Sequence, residues 1–233
     1  MNFNDKVVMI TGAAGNLGRA VAQAFASHGA KLVLIDRQID GLQAEFRDLD
    51  RHLLLQVDLL HQEDATAAGQ ATVDRFGRID VLCNVAGGFR MGEAVHETSE
   101  STWDFLLGLN AGSVLHMAQA VVPHMLAAGN GKIVNVAAFA AQRGGAQRGA
   151  YAASKSVVVR LTESMAAELR DAGINVNCVL PTIIDTPDNR ASMPTADPRQ
   201  WVAPEDLANV ILFLASQEAR AIHGAALPVA GLG

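Results

Sequence analysis

The chain has 233 residues, half of them hydrophobic, and a formal net charge of −6. That size and composition suit one domain with a substantial core, and the acidic balance argues against a nucleic-acid partner, which would need a basic face. No apolar run reads as long enough to span a membrane, and the opening MNFNDKVVMITG lacks the charged-then-apolar pattern of a secretory signal, so a cytoplasmic location is expected.

In chain order, short β-branched runs predict strands at Lys6–Thr11, Lys31–Asp36, Leu53–Val57, Val81–Asn84, Lys132–Ala137, Asn175–Leu180 and Ala226–Val229, with helical patterns between them. KVVMIT and KLVLID are apolar apart from their ends, as strands covered on both faces of a parallel sheet should be. The alternation predicts an α/β fold, a doubly wound parallel sheet of about seven strands with helices on both faces. Residues 1–233 read as one domain, with a nucleotide-binding half over about 1–100 and a catalytic and substrate half over about 101–233. Neither Cys83 nor Cys178 is placed for a disulfide framework, and both sit in apolar runs as inert thiols. The seven histidines show no metal-ligand spacing, so no metal is expected.

The first strand runs into TGAAGNLGRA, where Gly12, Gly15 and Gly18 are spaced G-x-x-x-G-x-G with Asn16 and Leu17 between the last two. Glycines there permit a tight turn and let backbone approach a pyrophosphate, which sits on the free N–H groups that open the next helix. The second strand ends in Asp36, where such folds place an acid on the adenosine ribose. An acid there repels a 2′-phosphate, so NAD is favoured over NADP; Arg37 beside it is placed to stack on adenine or to offset part of that repulsion. Farther on, Tyr151 and Lys155 are spaced i, i+4 and share a helix face. A free phenol titrates near ~10, and a neighbouring ammonium is expected to lower it, making the pair a general acid/base.

Together, the TGAAGNLG loop, Asp36, Asp58 in VDL, NVAG from Asn84 to Gly87, Asn110, YAASK from Tyr151 to Lys155, and Pro181 with Thr186 resemble the short-chain dehydrogenase/reductase family over nearly the whole chain. The resemblance implies a Rossmann-type NAD(P)-dependent oxidoreductase acting on a small carbonyl or hydroxyl substrate. By it, Asp58 and Leu59 meet adenine, while Asn84, Ala86 and Gly87 line the cofactor and stabilise the central strand. Ile184 and Thr186 hold the nicotinamide carboxamide after Pro181, although Thr182 stands where the family usually has glycine. Lys155 also holds the nicotinamide ribose, and Asn110 anchors a water in a proton relay to Lys155.

One departure stands out. The family's catalytic serine falls thirteen residues before the tyrosine, and here that position is Ala138; Ile133 to Ala150 contain no serine or threonine. Gln142, Arg143 and Gln147 are the alternative donors. A narrower resemblance joins CVLPTIIDTPDNRASMPTADPRQW, Cys178 to Trp201, to dihydropteridine reductases, which keep the tyrosine and lysine without a serine. That gives a quinonoid dihydropterin as the alternative substrate; a catalytically silent NAD-binding sensor or partner protein is a further alternative. The segment Asp185–Trp201 is expected to be a flexible substrate lid. The apolar helices around Val114–Leu126 and Val157–Leu169 are expected to build a homodimer or homotetramer, and the closing LPVAGLG to leave little chain for completing a neighbour's site.

Overall fold

The computed structural model describes residues 1–231, and Leu232 and Gly233, the last two of LPVAGLG, lie outside the described residues. Seven strands form one sheet: β1 Val7–Thr11, β2 Lys31–Asp36, β3 His52–Gln56, β4 Val81–Asn84, β5 Gly131–Val136, β6 Ile174–Pro181 and β7 Ala226–Val229. All pair in parallel, in the order β3-β2-β1-β4-β5-β6-β7. Every predicted strand is present, with ends moved by one residue at most places. The helices are α1 Asn16–Ser27, α2 Asp40–Glu45, α3 Gln62–Phe76, α4 Glu100–Leu107, α5 Ser113–Ala128, α6 Gly149–Leu169, α7 Pro187–Ser192 and α8 Pro204–Ala215.

Period-two alternation divides the core. Val8 and Ile10 of β1, with Leu32 and Leu34 of β2, face α1, α2 and α8. Val7, Met9, Val33 and Ile35 face α3, α5 and α6. The chain reverses its winding between β1 and β4, so a crevice opens beyond the carboxyl ends of these two strands. The loops after β1, β2, β4, β5 and β6 all emerge at that end. Cys83 and Cys178 are free and buried, and burial pushes the Cys178 thiol up to about 11.

One expectation needs correction here. The helical run Glu100–Ala128 has 29 residues and contains an 18-residue stretch with a mean hydropathy of 1.4, enough by length and composition to cross a membrane. The pattern was obscured by Asn110, Ser113 and His116, which interrupt the apolar letters. In this fold the run packs against α3, β4 and β5, with Met117, Val121 and Met125 in the core. The segment Asp185–Trp201 holds α7, a turn of 3₁₀ helix at Pro198–Gln200, and a bridge between its flanks, Ile184 with Val202.

Candidate active site

The glycine loop is built by close approach. Gly12 has φ +65°, and a Cβ there would stand 2.7 Å from Ala86 Cα. A Cβ on Gly18 would collide with the Gly12 carbonyl oxygen. At Gly15, by contrast, a Cβ would touch only that same oxygen, at 3.4 Å, leaving open space at the start of α1. Gly15 caps α1 without a side chain, so the first N–H groups of the helix, at Asn16, Leu17 and Gly18, face the crevice side of the loop unsatisfied within the helix. These residues therefore fit a pyrophosphate. Thr11, which the sequence reading did not single out, fastens the loop to its neighbour: its Oγ1 accepts from Val85 N and Ala86 N, both at 3.1 Å.

Asp36 ends β2 beside this loop. Its Oδ2 accepts from Ala14 N at 3.0 Å and its Oδ1 from Gln38 N at 3.3 Å. Helix α2 begins only at Asp40, so Asp36 is not a helix cap. Its carboxylate is half-exposed, with lone pairs left for a ribose; Arg37 is exposed. Asp58 Oδ1 accepts from Leu60 N at 3.0 Å, which shapes the turn after β3, and the Leu59 carbonyl accepts from His116 Nδ1 at 2.8 Å. Asn84 is buried and donates to Asn135 Oδ1 at 2.8 Å; Asn135 in turn donates to Thr162 Oγ1 at 2.9 Å. Neither Asn135 nor Thr162 was read from the sequence. The chain of amides ties β4 and β5 to α6.

At the catalytic end, Lys155 and Asn110 meet at Gly87. A Cβ on Gly87 would stand 2.9 Å from Asn110 Oδ1 and 3.1 Å from Lys155 Nζ. Lys155 is buried and donates to the Val136 carbonyl at 2.9 Å. Burial lowers its pKa to about 8. Tyr151 contradicts expectation: burial pushes its phenol up to about 12, with the Arg148 charge pulling the other way, and Lys155 does not lower it. The cost of desolvating a phenolate wins, because the ammonium is turned to Val136 and is itself losing its charge. The Phe89 ring stands edge-on to Tyr151, centroids 4.8 Å apart.

Asn110 lies in a π-helical turn, Gly108–Gly112, between α4 and α5. Its side chain is bonded at both ends: Oδ1 accepts from Gly88 N at 2.8 Å, and Nδ2 donates to Gly88 O at 3.0 Å and Ser154 Oγ at 2.9 Å. The amide thus fixes the loop after β4 against α6, with one Oδ1 lone pair left over. Ser154, the S of YAASK, is the partner that sequence reading passed over.

Ala138 stands at the end of β5, buried, with extended backbone opening the 3₁₀ turn Phe139–Ala141. Gln142, Arg143 and Gln147 are exposed. Beyond β6, Thr182 turns its hydroxyl to the Ala230 carbonyl at 3.3 Å in place of the usual glycine. Thr186 caps α7, accepting from Asn189 N at 3.2 Å, and the Ile184 carbonyl accepts from Asn189 Nδ2 at 2.8 Å.

A glycine loop at the switch point and a Tyr-x-x-x-Lys helix facing the same crevice agree with the comparison to known proteins. The sequence matches the short chain dehydrogenase family over residues 6–197. The chain belongs to the short-chain dehydrogenase family and is an oxidoreductase of that type. It is 36% identical to D-threitol dehydrogenase of Mycolicibacterium smegmatis, across 98% of this chain and 93% of that protein. It is 35% identical to 3-oxoacyl-[acyl-carrier-protein] reductase FabG of Thermotoga maritima, across 99% and 98%. Among solved structures, NAD+-bound xylitol dehydrogenase superposes with a TM-score of 0.91 at 25% identity, covering 99% of this chain and 100% of that one.

Proposed function

We propose that this short-chain dehydrogenase uses NAD(H) to interconvert a small secondary alcohol and its carbonyl compound, with Tyr151 as general acid/base. The observation that carries the reading is the junction at Gly87, where Asn110 and Lys155 come together beside the crevice edge. A silent nucleotide-binding protein has no need to bury a lysine, at a cost in charge, against a backbone carbonyl. The relatives named for threitol and xylitol support a hydroxylated substrate.

Bound NAD(H) would supply the hydride acceptor for the alcohol carbon in one direction and the hydride donor for the carbonyl carbon in the other. The rest falls to the chain. Gly12, Gly15, Asn16, Leu17 and Gly18 hold the pyrophosphate on the N-terminus of α1, and Asp36 binds the ribose hydroxyls and disfavours NADP. Asp58, Leu59, Asn84, Ala86 and Gly87 line the adenosine and central part, and Pro181, Ile184 and Thr186 the nicotinamide end. Tyr151 takes the hydroxyl proton while its own phenolic proton passes to neutral Lys155, so that oxidation of the alcohol yields the carbonyl compound, the reduced cofactor and one proton. Lys155 carries that proton onward, since burial sets it to release near pH 8. Asn110 positions the loop of Gly87 and Gly88 through its amide. Asp185–Trp201 covers the substrate and excludes water. Exposed Leu115, Leu126 and Val157 on α5 and α6 support a homodimer or homotetramer.

The test is NAD(H)-linked turnover on a panel of polyols, secondary alcohols, small ketones and a quinonoid dihydropterin, each repeated with Tyr151→Phe. Tyrosine-dependent turnover of alcohols or ketones is the expected result. Turnover of the pterin alone replaces the substrate class and accounts for Ala138 as a change of substrate. Cofactor binding without turnover on any member overturns the enzymatic reading.

A further inference from the structure

Arg148 has no part in the scheme above. It is the N-cap of α6, and Tyr151 is the third residue of the same helix. The two positions, N-cap and third residue, lie on the same first turn of the helix. The guanidinium has a built place: a Cβ on Gly145 would collide with Arg148 Nε, so glycine there makes room for it. Gln147, just before, is a non-glycine residue at φ +59°, and its carbonyl accepts from Gly92 N at 2.8 Å, which pins this turn to the loop after β4.

A cavity of about 250 Å³ opens between the two segments, lined by Arg90, Glu93, Thr102, Gln147, Arg148 and Gly149 among others. Its charges do not cancel. The Glu93 carboxylate is spent on Ser99 N at 3.0 Å, Ser99 Oγ at 3.1 Å and Thr102 Oγ1 at 3.2 Å. Arg90 lies 3.8 Å over the Phe105 ring and in the field of Glu93. Arg148 forms no ion pair among the described residues. A guanidinium with no ion-pair partner among the described residues thus lines this cavity three residues before Tyr151, in a chain of net charge −6.

We propose that Arg148 is a specificity residue that binds an anionic group of the substrate, so that the substrate is a hydroxy or oxo compound carrying a carboxylate, sulfonate or phosphate. Its planar fork suits such groups better than an ammonium does. This rests on the reading of Tyr151 as the proton-transferring residue. The competing role is electrostatic: the same charge favours the Tyr151 phenolate, and removing it would then change only the pH profile.

The experiment compares matched pairs, 3-hydroxybutyrate against 2-butanol and glycerol 3-phosphate against glycerol, in wild type, Arg148→Gln and Arg148→Lys. We expect the charged member of at least one pair to be favoured about ten-fold or more in kcat/KM, the size of one charge-assisted contact. Arg148→Gln should remove most of that ratio through KM, and Arg148→Lys should restore part of it. The ratio should shrink as salt is raised. Where no pair is turned over, the affinities of acetoacetate and 2-butanone for the NADH complex, read by NADH fluorescence, give the same ratio. Equal preference for both members in wild type overturns the proposal. So does an Arg148→Gln variant that lowers both members alike or moves only the pH profile. Tyrosine-independent turnover would sink the Tyr151 mechanism instead, and leaves the ratio as a separate reading.

Discussion

Burial acts on Tyr151 and Lys155 in opposite senses, pushing the phenol up to about 12 and the ammonium down to about 8. The group that changes state nearest neutrality is therefore the lysine. Alcohol oxidation needs a proton acceptor, so its rate should rise with pH through about 8 and be lost below it. Lys155→Met should remove that limb and cost about 10²-fold or more at pH 8. The same shift has a sign for stability. Between about 8 and the ordinary lysine value of 10.5, the unfolded chain binds more protons than the folded one. This group therefore adds stability as pH rises through that window, and below it a buried ammonium is a cost. Urea denaturation at pH 8 and pH 10 should show a smaller rise in Lys155→Met than in wild type. The i, i+4 spacing made the pair legible in the sequence. The direction of the Tyr151 shift was not, because it depends on how much of the phenol the fold removes from water.

Ala138 is a second single-residue question. Its methyl is buried at the end of β5, in the strand that also supplies the carbonyl bonded to Lys155. A hydroxyl added there would give the developing oxyanion a donor, an interaction whose removal costs roughly 10²–10³ in other enzymes. Ala138→Ser should therefore raise ketone reduction, most visibly in kcat. No gain on any ketone would mean that another donor already fills the role, or that the substrate needs none.

The strands were legible as elements because a parallel sheet covered on both faces writes itself in continuous apolar runs, as in VVMIT and KLVLID. What escaped were devices whose signal is one polar residue. Asn110 was read as a water anchor, and the fold adds a structural task that was not read: in a π turn its amide closes on Gly88 and Ser154. Nothing in the spacing of GLNAG distinguishes that turn from an α-helix. Asn135 is similar: a polar letter in KIVNV that reads as a blemish, and in the fold the middle of the Asn84–Asn135–Thr162 chain. Asn135→Ala would leave Asn84 and Thr162 without their buried partner, at a cost of about 1–3 kcal/mol each way the loss is counted. Chemical denaturation should show that loss with little change in slope; a variant as stable as wild type would mean that the two ends find each other or water.

On the scale of the whole molecule, the dinucleotide crevice runs from Asp36 at the end of β2 to the junction at Gly87, across the point where the sheet reverses its winding. A ligand bridging it couples both halves of the chain and must stabilise the fold by mass action. At a free concentration of 100 times its dissociation constant, NAD+ should add about 2.7 kcal/mol. For a domain of this size that is roughly 5–10 °C in Tm. On the proposed role of Asp36 at the ribose, NADP+ at equal concentration should add less, because a carboxylate there repels the 2′-phosphate. Asp36 also holds Ala14 N, so Asp36→Ala loosens the glycine loop as well as removing the repulsion. The two effects separate in one thermal series. Asp36→Ala should lower the Tm of the free protein and the NAD+ increment together, while the NADP+ increment grows relative to NAD+. An unchanged ratio of the two increments would confine Asp36 to the loop contact and remove the basis for the NAD preference.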